Sequence, residues 1–190
     1  MLVVMLNGAP GSGKTTLARP LAQTLRLPLF SKDLIKETHA DVLGAHHPGG
    51  GDQRDWSRRL GAAASDSMWA LLRTASGGAT LESFWPASTR PFVCAGLDRA
   101  EAGVPLEIWC DVPAATARAR FIERLPQQHP VHGDPATTGW DDAWAAAEPL
   151  ALGPVLRVDT AAPADIGAVA DWVRTHAPQL CEQTPEEFAL

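Results

Sequence analysis

Short apolar runs alternate with segments of helical periodicity along most of the chain. The runs that predict strands lie at residues 2–6, 27–30, 79–84, 105–110 and 154–158. Apolar residues three or four positions apart predict helices over residues 14–26, 32–43, 52–75, 113–125 and 163–175. This alternation is typical of α/β proteins, in which a parallel sheet has helices on both faces. We therefore expect an α/β fold built on a five-stranded parallel sheet.

Glycine and proline residues mark the boundaries of these elements. A loop is predicted over residues 45–51, where Pro48 precedes three glycines. Pro20 falls inside the first helix, where it should introduce a kink or an irregular turn. The chain contains no internal repeat and no linker that would divide it. We expect one domain over residues 1–176, followed by a polar tail over residues 177–190.

The strongest chemical signal lies between the first predicted strand and the first predicted helix. Residues 8–15 match the phosphate-binding pattern GxxxxGK(S/T), and the loop they form is called the P-loop below. Its glycines let backbone N–H groups converge on phosphate oxygens, and the helix N-terminus adds a partial positive charge. Lys14 is placed to reach the β- and γ-phosphates, and the Thr15 hydroxyl to bind Mg²⁺. The predicted nucleotide-binding residues are Gly8, Ala9, Pro10, Gly11, Ser12, Gly13, Lys14, Thr15 and Thr16.

A second signal follows the second predicted strand, where the sequence reads Ser-Lys-Asp-Leu-Ile-Lys. Because ligands of parallel sheets bind at the carboxyl ends of the strands, we expect Asp33 to lie beside the P-loop. Its carboxylate can accept the proton of a substrate hydroxyl that attacks the γ-phosphate. Asp33 is equally well explained as the N-cap of the next helix, and the two roles are compatible. Lys36 lies one helical turn further on the same face, where it can help to neutralise charge.

Three motifs in this order resemble those of the P-loop small-molecule kinases. They are residues 8–16, residues 31–36, and an Asp-Val-Pro sequence at 111–113 that precedes an arginine-bearing helix. That group includes polynucleotide kinase domains, chloramphenicol phosphotransferase, gluconate kinases and zeta-type toxins. The resemblance implies the three-layer sandwich of P-loop NTPases, with strand order 2-3-1-4-5 and a helical lid at about residues 118–138.

The resemblance also assigns roles within the site. It makes Asp33 the general base, and it makes Arg124, with Arg120 as a second candidate, a clamp on the transferred phosphoryl group. The four-residue spacing of the two arginines independently puts them on one helix face, and a Pro/His-rich loop follows Leu125, as a closing lid requires. A solvent-exposed, charged helix face is the alternative. The chain departs from the group at Lys36, where arginine is frequent, so bidentate contact with a phosphate is lost there.

The residues of an acceptor pocket are predicted from aromatic and histidine positions. Flat tryptophan faces suit a sugar, a nucleoside or an aromatic antibiotic. The candidates are His46, His47, Trp56, Phe84, Trp85 and Trp140. Glu82 lies near the end of the third predicted strand, where it could order a magnesium-bound water. An equal alternative is that Glu82 only ends the strand and that Phe84 and Trp85 belong to the core. The histidines lack Cys or carboxylate partners at zinc-like spacing, so the metal we expect is Mg²⁺ with the nucleotide.

Composition narrows the functional classes further. The chain of 190 residues has 16 Lys+Arg against 22 Asp+Glu, and its net charge of −6 argues against a nucleic-acid partner. No apolar stretch is long enough to span a membrane, and the N-terminal sequence lacks the basic region of a signal peptide. The three cysteines form no CxxC pair, which fits a reducing compartment. We therefore expect a cytoplasmic protein.

These observations lead to one functional hypothesis and two alternatives. The hypothesis is a kinase that, with Mg²⁺, transfers the γ-phosphate of ATP to a hydroxyl of a small molecule. A 5′-hydroxyl polynucleotide kinase is the alternative within kinases, and a nucleotide-binding NTPase without phosphotransfer is the alternative outside them. A nucleotide switch would need a guanine-reading NKxD sequence, and a motor-type ATPase a hydrophobic run ending in Asp-Glu; the chain has neither.

Overall fold

The computed structural model describes residues 1–132, 144 and 147–177. Within them, five parallel strands form one sheet in the order β2-β3-β1-β4-β5. The strands are β1 (Leu2–Asn7), β2 (Leu29–Ser31), β3 (Gly78–Glu82), β4 (Leu106–Asp111) and β5 (Val155–Asp159). The predicted fold class and strand order are confirmed. β1 lies at the centre of the sheet with all six residues buried, as its unbroken apolar run predicts.

Helices connect the strands and cover the sheet. They are α1 (Lys14–Leu25), α2 (Lys32–Leu43), α3 (Gln53–Thr74), α4 (Arg90–Arg99), α5 (Ala114–Arg124) and α6 (Ile166–His176). Short 3₁₀ turns occupy Ala87–Thr89, Leu125–Gln127 and Pro130–His132. All of these helices except α4 lie within a few residues of the predicted positions. α1 continues through Pro20, and the Thr24 hydroxyl donates to the Pro20 carbonyl at 2.9 Å.

α4 lies between β3 and β4, where the sequence pattern predicts no helix. Pro91 occupies its first turn, a position that proline tolerates, and the buried residues are Val93, Gly96 and Leu97. A Cβ at Gly96 would stand 2.3 Å from the Trp69 ring, so α4 packs on α3 only because this residue is glycine. A short helix that contains both proline and glycine has a weak periodic signal and low helix propensity. The helix therefore depends on packing against α3 that its own sequence pattern does not reveal.

Two hydrophobic clusters, one on each face of the sheet, make the structure three-layered. On one face α1 and α6 pack against the sheet through residues such as Leu21 and Val173. On the other face α3 and α4 pack through residues such as Met68 and Leu97. Each side chain of this size contributes about 1.5–3 kcal/mol when it is fully buried. Packing on both faces therefore fixes the positions of the residues at the ends of the strands.

The last residue of every strand in this sheet is polar. These residues are Asn7, Ser31, Glu82, Asp111 and Asp159. Because the strands are parallel, all five residues lie at one edge, which is where open α/β sheets bind ligands. The P-loop follows β1 and Asp33 follows β2, so both belong to this edge.

The described residues bear on the other sequence predictions only in part. Among them, no helix combines the length and the apolar character that crossing a bilayer requires. The predicted lid is described as far as His132, and the predicted tail only at Ala177. Trp140, a candidate for the acceptor pocket, lies outside the described residues.

Candidate active site

Three glycines give the P-loop its shape. Gly8, Gly11 and Gly13 have φ angles of 147°, 80° and 90°, in the region that glycine adopts easily. A Cβ at Gly11 would stand 2.0 Å from the Ala117 carbonyl oxygen, so α5 packs directly against the loop. Gly13 is the N-cap of α1 and supplies no side-chain cap. The N–H groups at the start of α1 are therefore left to bind an anion.

Lys14 is folded onto the inside of the P-loop. Its ammonium group donates to the carbonyls of Gly8 at 2.8 Å and Ala9 at 3.0 Å. Burial lowers the pKa of Lys14, and the negative charges of Glu82 and Asp33 act in the opposite direction. Two of the predicted site carboxylates are thus within electrostatic reach of the P-loop lysine.

Glu82 lies against the P-loop at the end of β3, with only 4% of its surface exposed. The Thr15 hydroxyl donates to its Oε1 at 2.8 Å, and the Ser31 hydroxyl donates to its Oε2 at 2.5 Å. A hydroxyl and a carboxylate side by side are the hard oxygen donors that Mg²⁺ prefers. The residues present therefore fit Mg²⁺, with Thr15 and Glu82 as the groups that would hold it.

Asp33 lies in the first turn of α2 with an exposed side chain. No described residue donates a hydrogen bond to its carboxylate, and the N-cap of α2 is Ser31. The alternative that Asp33 caps this helix is therefore wrong. The Lys36 ammonium donates to the Ser57 hydroxyl on α3 at 2.9 Å. Burial lowers the pKa of Lys36, whereas the negative charge of Asp33 raises it. The charge of Asp33 acts in the same way on the pKa of Lys14.

The two arginines predicted to form a clamp have different surroundings. The Arg120 guanidinium donates to the carbonyls of Thr160 and Ala161, both at 2.9 Å, and so ties α5 to the segment after β5. Arg124 is exposed at the C-terminal end of α5, and its positive charge contributes to the lowered pKa of Lys14, which burial mainly causes. Arg124 therefore acts electrostatically on the P-loop lysine, whereas the guanidinium of Arg120 is bound to backbone.

Two residues that sequence reasoning does not identify bind carbonyl groups of the P-loop. The Thr160 hydroxyl contacts the Ser12 carbonyl at 2.7 Å. The Trp144 indole N–H donates to the Pro10 carbonyl at 2.8 Å, and its ring meets Phe121 edge-on with centroids 5.3 Å apart. Neither residue belongs to a recognisable motif, so no local signal could have found it.

A buried hydrogen-bond network fixes the start of the P-loop at the end of β1. Asn7, at the end of β1, accepts the N–H groups of Gly8 at 2.8 Å and Trp85 at 3.0 Å. Its amide donates to the Glu107 carboxylate at 2.9 Å. Glu107, 1% exposed, also accepts the backbone N–H groups of residues 150–151 at 2.9 and 2.7 Å. These bonds satisfy a carboxylate that would otherwise be costly to bury. The one sequence signal for this network is a glutamate inside the apolar run of β4.

Cys110 packs beneath the start of the P-loop. A Cβ at Gly8 would stand 2.9 Å from the Cys110 carbonyl oxygen, and the cysteine is 2% exposed. Burial raises the pKa of the Cys110 thiol to about 12, although the charge of Lys14 opposes this shift. The thiol is therefore neutral at physiological pH and unsuited to act as a nucleophile.

The other acceptor-pocket candidates are largely engaged in local structure. The Trp56 indole N–H donates to a carbonyl of the preceding loop at 3.0 Å, and its ring meets His47 edge-on at 5.5 Å. His46 is exposed. Trp85 is 4% exposed in the hydrophobic core, whereas the half-buried Phe84 ring lies 5.9 Å from the Lys14 ammonium. The structure therefore brings Phe84 to the P-loop, and it favours the core alternative for Trp85.

A turn that follows α5, residues 129–132, is docked on α2 and α3. Its histidines pair with two carboxylates that are one helical turn apart on α2. The pairs are His129 with Asp41 at 3.1 Å and His132 with Glu37 at 2.8 Å. Val131 is fully buried between the two helices, and its carbonyl accepts the Ser57 hydroxyl at 2.9 Å. This docked turn connects the segment after α5 to the helix that carries Asp33.

The topology and the site together define a class of protein. A P-loop after the central strand, a carboxylate at the end of β3 and a carboxylate-bearing helix after β2 are the arrangement of a P-loop kinase fold. The chain belongs to the AAA domain family, whose model matches residues 3–149. This match includes the P-loop, both carboxylates and α5.

Individual proteins of known structure or activity resemble the chain to different degrees. A candidate kinase from Chloroflexus aurantiacus J-10-fl is 33% identical with a TM-score of 0.77, over 92% of this chain and 97% of that one. A sugar kinase from a Janibacter species shares the fold at 16% identity and a TM-score of 0.58, over 95% and 98% of the chains. The cytidylate kinase of Pyrobaculum aerophilum is 48% identical over 44 residues, 23% of this chain. That match spans 24% of the cytidylate kinase.

Proposed function

We propose that this protein transfers the γ-phosphate of ATP, bound with Mg²⁺, to a hydroxyl group of a small molecule. The observation that carries the proposal is the convergence of Lys14, Glu82 and Asp33 at one edge of the sheet, where both carboxylates act on the pKa of the buried lysine. A loop that only binds nucleotide needs no exposed carboxylate beside its lysine. A kinase needs one to accept the proton of the attacking hydroxyl.

In this proposal the P-loop holds the triphosphate. The N–H groups at the start of α1 bind phosphate oxygens, and the Lys14 ammonium exchanges its bonds to the carbonyls of Gly8 and Ala9 for the β- and γ-phosphates. Thr15 and Glu82 would hold Mg²⁺, which would supply positive charge to the triphosphate when bound.

Asp33 takes the proton of the acceptor. The acceptor oxygen forms a bond to the γ-phosphorus, the bond from that phosphorus to the β–γ bridging oxygen breaks, and the hydroxyl proton passes to the Asp33 carboxylate. Both carboxylate oxygens are available for this, since no described residue donates to them. Lys36, held by Ser57, supplies a positive charge next to the base.

Arg124 stabilises the charge that develops on the transferred phosphoryl group. Its position at the end of α5, within electrostatic reach of Lys14, supports this role. We assign Arg120 a supporting role, because its two bonds to backbone carbonyls fix the segment after β5. Arg120 takes part in the clamp only if nucleotide binding releases those bonds.

We expect the acceptor to be a sugar, a nucleoside or an antibiotic-like compound. A net charge of −6 argues against a polynucleotide, because binding a phosphate backbone is dominated by basic residues. The shared fold with a sugar kinase supports a small acceptor. The short similarity to a cytidylate kinase adds nucleoside monophosphates to the compounds worth testing.

The test is transfer of label from γ-³²P-ATP to a panel of acceptors, with Lys14→Ala as the control. The panel contains sugars, nucleosides, nucleoside monophosphates, hydroxyl-bearing antibiotics and 5′-hydroxyl oligonucleotides. Labelling of a small hydroxyl compound, reduced about 10²–10³-fold in Lys14→Ala, is the expected result.

Other outcomes identify the alternatives. Labelling of the oligonucleotide alone would make the protein a polynucleotide kinase. Slow ATP hydrolysis without any labelled acceptor would leave a nucleotide-binding NTPase. A melting temperature that Mg-ATP does not raise would exclude nucleotide binding itself.

A further inference from the structure

The serine that begins α2 does not cap the helix. Ser31 occupies the N-cap position with an extended backbone, but its side chain makes no bond to the helix N–H groups. Serine is favoured at this position because its oxygen normally accepts such a bond. The Ser31 hydroxyl instead donates to Oε2 of Glu82 at 2.5 Å. A residue that gives up its local role for a longer-range contact is typical of a functional site.

The sheet fixes this contact. Ser31 of β2 and Glu82 of β3 are directly paired in the parallel register, so their side chains lie on the same face. Glu82 is 4% exposed, and its second oxygen accepts the Thr15 hydroxyl at 2.8 Å. Hydroxyls from two different elements therefore each donate to one oxygen of this buried carboxylate, which leaves each oxygen a second lone pair.

We propose that Ser31 is a positioning residue of the magnesium site and acts through Glu82 on Thr15. The inference rests on the proposed function, in which Thr15 is a magnesium ligand. While Thr15 donates its proton to Glu82, the lone pairs of its Oγ1 point away from the carboxylate and are free for a cation. The Ser31 hydroxyl prevents the carboxylate from rotating, so Oε1 stays in place for Thr15. Without Ser31 the carboxylate loses this constraint, and the Thr15 hydroxyl loses its fixed orientation.

The same contact links the metal site to the base. Ser31 begins the helix whose first turn carries Asp33, so the bond to Glu82 fixes the start of that helix relative to the P-loop. Ser83, the next residue after Glu82, provides a matched control. Ser83 is a buried serine directly after β3, and its hydroxyl donates to the Phe84 carbonyl at 3.3 Å rather than to a carboxylate.

Titration calorimetry with ATP, in Mg²⁺ and separately in EDTA, tests the inference. Ser31→Ala should weaken ATP binding about 10–100-fold in Mg²⁺, the usual effect of losing a partner of a metal ligand, and leave binding in EDTA unchanged. Ser31→Thr keeps the hydroxyl and should restore binding, and Ser83→Ala should behave as the wild type. In a Glu82→Ala background Ser31→Ala should have no further effect, because the serine acts through that carboxylate.

Three results would overturn the inference. Equal weakening of ATP binding in Mg²⁺ and in EDTA would mean that the hydroxyl only supports the shape of the P-loop. If the ATP affinity of Ser31→Ala depended on Mg²⁺ as that of the wild type does, the Ser31 hydroxyl would have no role in the magnesium site. Wild-type protein that binds ATP no better in Mg²⁺ than in EDTA would remove the metal from the proposed function, and the wild-type titration alone distinguishes that failure from the other two.

Discussion

Replacement of Asp33 by asparagine separates the binding of ATP from its use. Asparagine has the size of aspartate but carries no charge and accepts a proton poorly. Because the Asp33 side chain is exposed and does not cap α2, the substitution removes no contact from the fold. Exposed substitutions of this kind change stability by about 0.5 kcal/mol or less, so we expect the melting temperature to stay within about 2 °C of the wild type.

The expected loss lies in the chemical step. A positioned general base contributes about 10²–10⁴-fold to the rate, which corresponds to about 2.7–5.5 kcal/mol of barrier height. The charge of Asp33 acts on Lys14 and Lys36 in the direction that raises the pKa of each. In the ATP complex the phosphates supply negative charge near Lys14, so the affinity for ATP should remain close to that of the wild type.

The assay compares ATP titration with transfer of labelled phosphate to whichever acceptor proves active. Asp33→Asn should bind Mg-ATP normally and transfer phosphate at least about a hundredfold more slowly. Transfer at the wild-type rate would refute the assignment of Asp33 as the base. Joint loss of ATP binding and transfer would also refute it, since the carboxylate would then belong to the nucleotide site.

Further tests address α5, the P-loop and the buried thiol. Arg124→Ala should lower kcat more than it raises the KM for ATP, because the charge it stabilises develops in the transition state; unchanged kinetics would mean that this helix face is only solvated. Gly11→Ala should lower the melting temperature by several degrees and weaken ATP binding, since its Cβ would stand 2.0 Å from the Ala117 carbonyl oxygen; a wild-type melting curve would contradict this contact. Because burial raises the pKa of the Cys110 thiol to about 12, Cys110 should resist iodoacetamide at pH 8 while the half-buried Cys94 reacts. Mass spectrometry measures the labelling of each cysteine, and equal labelling of both would contradict the burial of Cys110. Since the unfolded thiol ionises first, near its ordinary value of 9.0, the Cys110 contribution to stability should be full below that pH and be lost as pH rises through about 12.

The sequence predicts the parts of the site that depend on contiguous residues. The P-loop needs only a strand, a set of glycines and the helix that follows, and all of these lie within residues 2–25. The positions of Asp33 and Glu82 follow from the rule that parallel strands present their carboxyl ends at one edge. Whether Asp33 caps α2 could not be decided from the sequence, because Asp is favoured at N-cap positions and only the helix boundary excludes that role.

Contacts between distant parts of the chain could not be predicted. Trp144 reaches the P-loop across 134 positions of sequence, and Thr160 across 148. Neither follows from periodicity or spacing, because each depends on how loops pack after the sheet has formed. The expectation for Trp56 and Trp85 came from their residue type and their positions along the chain. In the structure the Trp56 indole N–H donates to a loop carbonyl, and the Trp85 backbone N–H donates to Asn7. Aromatic residues in a sequence therefore indicate burial more reliably than they indicate a ligand-binding pocket.

The docked turn at residues 129–132 has a mechanical consequence. It lies shortly after the end of α5, which carries Arg124, and two His–carboxylate pairs with a buried valine hold it on α2 and α3. Asp33 and Arg124 therefore lie on segments that are joined by side-chain contacts as well as along the chain. A displacement of α2 would be passed on to the segment that follows Arg124, whereas α5 itself is held by its contact with the P-loop at Ala117 and by the two bonds of Arg120 to backbone carbonyls.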